Sequence, residues 1–217
     1  MTPTEAAAFI RANTGARCHP LVPEIRLMLA DEMTPIWQAS EDRLETAGVE
    51  PPFWAFAWPG GAALARYLLD HTGVAQGRRV FDVAAGCGIA AIAACRAGAA
   101  KVAAADIDPL AQAAIAANAA LNDAEIEILV GDPLAAPAPA TDLILAGDVF
   151  YERPLAEMMR PWLLAARAGG AEVLVADPGR AYLPERGLEH LAEYAVPTTL
   201  EIEDREMRKT AVYRLIG

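Results

Sequence analysis

The sequence predicts an α/β protein with a Rossmann-like, doubly wound and mostly parallel seven-stranded sheet, a C-terminal antiparallel hairpin and an N-terminal helical extension. Short apolar runs typical of strands alternate with helical stretches or loops from residue 79 onward. The last two runs are separated by a charged turn that is too short for a crossover helix. Prolines, glycines and four aromatic residues at 51–61 separate this region from an opening with helical character.

The N-terminal extension is predicted at residues 1–50, ahead of a main domain at 51–217. Thr2 and Glu5 have the spacing of a capping box, in which each side chain satisfies a backbone N–H at the start of a helix. Three helical segments are expected here, at residues 6–11, 23–31 and 35–47.

The strands of the main domain are predicted from apolar runs, after a helix at about 62–71. Five of them belong to the βαβ alternation, at residues 79–83, 101–105, 126–130, 142–147 and 172–176. Two more, at about 193–202 and 209–216, flank the charged turn at 203–206, so we expect them to pair as a hairpin.

Composition limits the class of protein. A chain of 217 residues with 54% hydrophobic residues can form a substantial core. It contains no apolar run near the roughly 18 residues of a membrane span, and no basic secretory start, which favours a cytoplasmic protein without a membrane partner. A net charge of −11 disfavours a nucleic-acid partner, since phosphate binding requires clustered lysine and arginine. The three cysteines form no C-x-x-C pair and predict neither disulfides nor zinc.

A nucleotide-like ligand site is predicted at residues 80–108. A strand carrying Asp82 leads into a loop with Gly86 and Gly88, and a helix follows. Such a loop at the carboxyl end of a parallel strand lets the backbone approach a ligand closely. Asp106 ends the next strand, where its carboxylate can accept hydrogen bonds from both ribose hydroxyls. Asp132, after the third strand, is placed to accept from an adenine amino group or to form a turn.

The same glycine pattern also fits a dinucleotide site, with Asp106 at about the expected ~20-residue spacing. Asp82 argues against that reading, because a carboxylate beside the loop would repel a pyrophosphate. S-adenosylmethionine has no phosphate and carries a cationic amino group, so an acid there is useful. The chain also leaves no room for a second catalytic domain. An NAD-dependent oxidoreductase, or a non-catalytic nucleotide-binding module, stays as the alternative from a different class.

With these residues in place, the chain resembles the seven-strand class I methyltransferases, and among them the lysine methyltransferases that act on the β subunit of electron transfer flavoprotein. Ala84 departs from the pattern, because many class I enzymes have the first loop glycine there. Five segments carry the resemblance: residues 52–61, 82–88, 106–109, 118–122 and 147–151.

The resemblance implies roles for several side chains. Asp148 and Tyr151 form the D-x-x-Y motif that lines the acceptor channel, where they would hold and orient the target amine; a helix cap and simple packing are the competing explanations. Trp58 would lie over the methionine end of the donor and attract the sulfonium by cation–π interaction. Trp54 would either have the same role as Trp58 or pack the N-terminal helices against the sheet. Asp177 and Arg180 would either contact the substrate or form a turn.

The predicted activity is therefore transfer of a methyl group from S-adenosylmethionine to a protein lysine. The preferred substrate is the β subunit of electron transfer flavoprotein. A ribosomal protein lysine is the nearest alternative, and a small-molecule N-methyltransferase follows. The candidate catalytic residues are Asp148 and Tyr151, and the candidate donor-binding residues are Trp58, Asp82, Gly86, Gly88, Asp106 and Asp132; no metal is expected.

Overall fold

A computed structural model describes residues 2–31, 52–199, 203 and 205–217. Its described strands are β1 (Gly15–His19), β2 (Val22–Leu29), β3 (Arg79–Val83), β4 (Lys101–Ala105), β5 (Glu127–Leu129), β6 (Leu143–Gly147), β7 (Glu172–Asp177), β8 (Leu188–Pro197) and β9 (Met207–Leu215). Its described helices are α1 (Pro3–Asn13), α2 (Pro59–Asp70), α3 (Ile89–Arg96), α4 (Pro109–Leu121) and α5 (Arg153–Ala168).

The main sheet has seven strands in the order β5-β4-β3-β6-β7-β9-β8. Strands β3 to β7 are parallel, and β9 runs antiparallel to both β7 and β8. The predicted sheet and its C-terminal hairpin are therefore confirmed, although β8 begins at Leu188, five residues before the predicted start. The chain leaves β3 toward β5 and then returns to β6, so the topological switch lies between β3 and β6.

The central strands are mostly apolar because helices cover both faces of the sheet. In β6, Leu143 and Leu145 pack in a core beneath α2 and α3, whereas Ile144 and Ala146 pack on the opposite face with α5. Alternate residues of a strand point to opposite faces, so two buried faces require a continuous apolar run. This is the pattern from which the parallel strands were predicted.

The N-terminal region is only partly helical. Helix α1 and the Thr2–Glu5 capping box are confirmed, but the helix predicted at 23–31 is wrong, because Val22–Leu29 is a strand paired with β1 in a two-stranded hairpin. Ile25, Leu27 and Leu29 are buried at every second position, which is the period of a strand. The helix predicted at 35–47 lies outside the described residues, and the domain boundary near residue 50 stays a prediction.

Asn118 of α4 and Asn122, the C-cap of that helix, attach this hairpin to the main domain. Asn118 Oδ1 accepts the N–H of Met28 at 2.6 Å, and Asn122 accepts from and donates to the backbone of Arg26 at 3.1 and 2.6 Å. Asn118 Nδ2 also donates to the carbonyl of Cys87 at 2.8 Å. The two amides are one helical turn apart and hydrogen-bond to the backbone of β2, as a neighbouring strand would. The buried Asn118 thus joins β2 to the glycine loop.

Replacing Asn118 with alanine is expected to lower the free energy of unfolding by about 1–3 kcal/mol, since it leaves the buried carbonyl of Cys87 without this donor. Asn122→Ala is the matched control: its bonds to Arg26 are exposed, so water can replace them and the loss should be smaller. Urea denaturation of both variants measures the difference. Equal losses would contradict the role assigned to Asn118.

Candidate active site

A cavity of about 480 Å³ opens at the carboxyl edge of the sheet, next to the switch between β3 and β6. Open parallel sheets bind ligands at this position. Seven of the eight predicted site residues line it: Trp58, Asp82, Gly86, Asp106, Asp132, Asp148 and Tyr151. Gly88 does not line it and instead forms the turn that begins α3.

The loop between β3 and α3 takes the left-handed conformation at three positions. Gly86 and Gly88 have φ of 54° and 76°, and Ala84 has φ of 53°. Ala84 therefore keeps the backbone of the glycine that it replaces, at a cost of about 1–2 kcal/mol. A Cβ on Gly86 would meet nothing within 4 Å, whereas one on Gly88 would meet Ile115 at 3.2 Å. Gly86 leaves open space for a ligand, and Gly88 allows α3 to pack on α4.

Asp82 is buried beneath this loop and holds it to α3. Its Oδ2 accepts the N–H of Ala91 at 3.0 Å. Burial raises the pKa of Asp82 to about 7, against the lowering effect of that bond, and nearby Asp106 adds to the rise. The structure thus gives Asp82 a role in forming the loop, and its predicted contact with the amino group of a donor stays a prediction.

Asp106 and Asp132 lie on the cavity wall at the ends of β4 and β5. Asp106 accepts the N–H of Gly86 at 2.9 Å and that of Asp108 at 3.1 Å, and burial raises its pKa. Each carboxylate oxygen has two acceptor sites, so ribose hydroxyls can still bind there. Asp132 accepts the N–H of Leu134 at 2.8 Å and caps a short 3₁₀ turn, which is the turn-forming role considered from the sequence.

Asp148 follows β6, on the other side of β3, and faces the first turn of α2. Its Oδ2 accepts the N–H groups of Gly60 and Gly61 at 2.5 and 3.2 Å. Helix α2 begins at Pro59, three residues earlier than predicted, so these glycines supply N–H groups that have no partner within the helix. Asp148 does not cap α5, whose N-cap is Glu152, and the helix cap considered from the sequence is therefore wrong.

Asp148 is also held by a charged cluster. Arg180 donates from Nη2 and Nε to its Oδ1, at 3.0 and 3.3 Å, and Nη2 also contacts Oε1 of Glu203 at 2.6 Å. Arg208 contacts the other oxygen of Glu203 at 3.0 Å. Burial raises the pKa of Asp148 to about 6 and nearby Asp177 adds to this, whereas Arg180 lowers it. The contact with Arg180 favours the ionised form of Asp148.

The aromatic residues before α2 form one side of the cavity. Trp58 donates from Nε1 to the carbonyl of Phe53 at 2.7 Å, and the guanidinium of Arg180 lies 5.9 Å from the Trp58 ring centre. Trp54 is 1% exposed and packs against Phe9 of α1, which supports the packing role considered for it. The ring of Tyr151 lies 5.6 Å from that of Phe53 and is partly exposed at the mouth.

Of these interactions, sequence reasoning left one open and missed two. It left Asp177 and Arg180 open between turn and substrate contact; Asp177 forms the turn, by accepting the N–H groups of Gly179 and Arg180 at 2.7 and 2.6 Å, and only Arg180 lines the cavity. The pairing of Arg180 with Glu203 joins residues 23 apart and has no local signal. The third, between Gly60 and Asp148, had one, because proline is over-represented at the first position of a helix and Pro59 precedes Gly60.

Other chemistry is limited by what the described part of the chain contains. Burial raises the pKa of the Cys87 thiol to about 12 and that of Cys95 to about 11, so neither is a ready thiolate. No group of three or more His, Cys, Asp or Glu side chains that could hold a metal lies within residues 2–31, 52–199, 203 and 205–217. None of the helices described there is long and apolar enough to cross a membrane.

The sheet order, the glycine loop and the carboxylate that ends β4 define a class I methyltransferase. The family model of the ribosomal protein L11 methyltransferase, PrmA, matches residues 62–165. Among solved structures, the tRNA (uracil-54, C5)-methyltransferase of Pyrococcus abyssi in complex with S-adenosyl-L-homocysteine is similar in fold, with a TM-score of 0.50 and 14% identity; the match covers 71% of this chain and 38% of that one.

The particular family follows from curated relatives. The electron transfer flavoprotein β subunit lysine methyltransferase of Danio rerio is 39% identical over 95% of this chain and 81% of its own length. The Homo sapiens protein of the same name is 35% identical over 96% of this chain and 81% of its own length. The chain belongs to the family of electron transfer flavoprotein β subunit lysine methyltransferases, as the sequence motifs predicted.

Proposed function

We propose that this protein transfers a methyl group from S-adenosylmethionine to the ε-amino group of a lysine in the β subunit of electron transfer flavoprotein. The observation that carries the proposal is the arrangement of the cavity. We call Gly86 and Asp106, which follow β3 and β4, its donor wall, and Asp148 and Tyr151, which follow β6, its acceptor wall. One cavity is therefore lined both by residues suited to a nucleotide-like donor and by residues suited to an amine.

The residues of the donor wall fit S-adenosylmethionine. The open space beside Gly86 admits a ligand against the backbone, and Asp106 provides acceptors for ribose hydroxyls. Asp82 lines the cavity beside the glycine loop, and its ionised form would repel the pyrophosphate of NAD there. When bound, S-adenosylmethionine supplies the activated methyl group.

The acceptor wall would bind and orient the amine. A lysine side chain has a pKa near ~10.4, and only its neutral form has the lone pair that attacks the methyl carbon. The ammonium proton leaves to water, Asp148 accepts a hydrogen bond from the neutral amine, and Tyr151 limits its orientation. The nitrogen then forms the new N–C bond in line as the C–S bond breaks, with that electron pair staying on sulfur.

Replacing Asp106 with alanine is expected to weaken donor binding by about 10- to 100-fold, since the ribose hydroxyls lose a charged acceptor worth about 1.5–3 kcal/mol. Isothermal titration with S-adenosylhomocysteine measures this. Asp123→Ala is the control, because Asp123 lies at the other end of α4, outside the cavity. In thermal shift, S-adenosylhomocysteine should stabilise the wild type and NAD should not. Stabilisation by NAD alone would reject the proposed donor.

The substrate is tested by incubating the protein with labelled donor and purified electron transfer flavoprotein, and separately with a cell lysate. Mass spectrometry should place the label on lysine of the β subunit. A ribosomal protein lysine is the second candidate, favoured by the match of the PrmA family model at residues 62–165. That match includes Asp148 and Tyr151 but omits Trp58 and Arg180, which also line the cavity. Label on arginine, glutamine or nucleic acid would reject the proposed activity.

The partner and location follow the same reasoning. The net charge of −11 supports a protein partner over a nucleic acid, and a cytoplasmic location stays a prediction from the sequence. Fractionation of cells with an antibody against the protein would test that location.

A further inference from the structure

Arg180 places its guanidinium in the site where the target lysine is proposed to bind. Its guanidinium lies on the same carboxylate that is proposed to meet the target lysine, 3.0 Å from Oδ1 of Asp148. The side chains are 19% and 12% exposed, and Glu203, which holds Arg180 from the other side, is 2% exposed. The pair is therefore shielded enough from water for its charges to act strongly on a nearby group.

The charges that face Asp148 come from every element around it. Helix α2 contributes the partial positive charge of its N-terminus, the end of β7 contributes Asp177, and the loop that follows contributes Arg180. Glu203 and Arg208 lie behind Arg180 and balance each other. Among the described residues, Arg180 is the cation in direct contact with Asp148.

The proposed reaction requires a neutral amine, and the contact between Arg180 and Asp148 affects the pKa of that amine. A bare carboxylate within about 4–6 Å raises the pKa of a lysine by about 1–3 units, because it stabilises the ammonium. The ammonium cannot attack a methyl group. An adjacent guanidinium has the opposite effect on the amine, since like charges disfavour the protonated form.

We propose that Arg180 is a positioning residue that acts through Asp148, offsetting its charge so that the carboxylate binds the neutral target amine instead of trapping the ammonium. This inference rests on the proposed function. Asp148 then acts as a hydrogen-bond acceptor for the amine, and Arg180 already offsets its negative charge before the substrate binds. Glu203 sets the strength of the effect, since it competes with Asp148 for the same guanidinium.

The test is the pH dependence of kcat for methylation of the electron transfer flavoprotein β subunit, with both substrates saturating, between about pH 6 and about pH 10.5, a range that spans the expected amine pKa. In the profile of kcat against pH, the rising limb of Arg180→Gln should lie about 1 pH unit higher than that of the wild type. Its kcat should therefore be about tenfold lower near neutral pH and close to the wild-type value at alkaline pH. Arg180→Lys keeps the charge and should keep the limb. Glu203→Gln should move the rising limb to lower pH, because Arg180 then loses a negative charge that partly offsets its own.

The opposite shifts expected for Arg180→Gln and Glu203→Gln distinguish an electrostatic role of Arg180 from a structural one. A residue needed only for folding would lower kcat at all pH values in both Arg180→Gln and Glu203→Gln, without moving the limb, and that result would overturn the inference. If Arg180→Gln does not fold, Glu203→Gln decides: an unmoved or raised limb rejects the inference. If the wild type itself methylates no lysine of the β subunit, the proposed function fails instead, and the two failures are thus distinct.

Discussion

Replacing Asp148 with alanine is expected to lower kcat for methyl transfer by about 100- to 1000-fold, while the affinity for S-adenosylhomocysteine changes little. The variant lacks the acceptor proposed for the target amine, and Arg180 loses one carboxylate partner while it keeps Glu203. The site would then have no carboxylate to align the lone pair of the amine. Steady-state kinetics and titration calorimetry measure the two quantities separately.

Two further variants make this result specific. Asp148→Asn keeps the size of the side chain and an oxygen that can accept from Gly60, but its amide N–H groups would face Arg180, so it should be less stable than the wild type as well as inactive. Asp142→Ala removes an aspartate just before the opposite end of β6, where it pairs with Arg79 at the surface, and should keep kcat. Parallel loss of donor affinity in the Asp148 variants would instead assign Asp148 to the donor site or the fold.

Replacing Gly60 with alanine is expected to be the most damaging single-methyl change in the site. A Cβ on Gly60 would lie 2.5 Å from the carbonyl oxygen of Ala176, 2.5 Å from Oδ2 of Asp148 and 2.6 Å from its nitrogen. Two of these atoms belong to backbone in the centre of the sheet and cannot move easily. Helix α2 must therefore shift, at a cost of about 1–3 kcal/mol in the free energy of unfolding.

The same shift should also lower activity, because it removes the N–H of Gly60 from Asp148. Urea denaturation and kcat measure the two effects. Gly73→Ala is the matched control, since a Cβ there would meet nothing within 4 Å and the change should be nearly neutral in both assays. A Gly60→Ala variant as stable and active as Gly73→Ala would show that the approach of α2 to β6 and β7 is not tight in solution.

The sheet and the residues at its ligand edge could be predicted because their signals are local. An apolar run of five residues between helices specifies a buried parallel strand, and a carboxylate or glycine at its end is placed at the ligand edge by topology alone. Asp82, Gly86, Asp106 and Asp132 all follow this rule. The D-x-x-Y motif of Asp148 and Tyr151 was found by resemblance to a family, because nothing in its local pattern distinguishes an acceptor site from a turn.

The N-terminal hairpin could not be assigned in the same way. Residues 22–29 mix a proline and charged side chains with apolar ones, so their periodicity is weak and a short run fits a helix or a strand. What makes them a strand is pairing with β1 and with the amides of Asn118 and Asn122, about 90 residues away. Such contacts stabilise an element whose own sequence does not favour one conformation.

By itself the sequence determined the class of fold, the donor loop and the residues at the edge of the sheet, since each depends on patterns within a few positions of the chain. The tertiary structure alone decided how those residues are charged and held. It placed Asp148 against the N-terminus of α2 and against Arg180, and it placed Glu203 behind Arg180. Electrostatic effects depend on distance and burial in space, and neither can be obtained from separation along the chain.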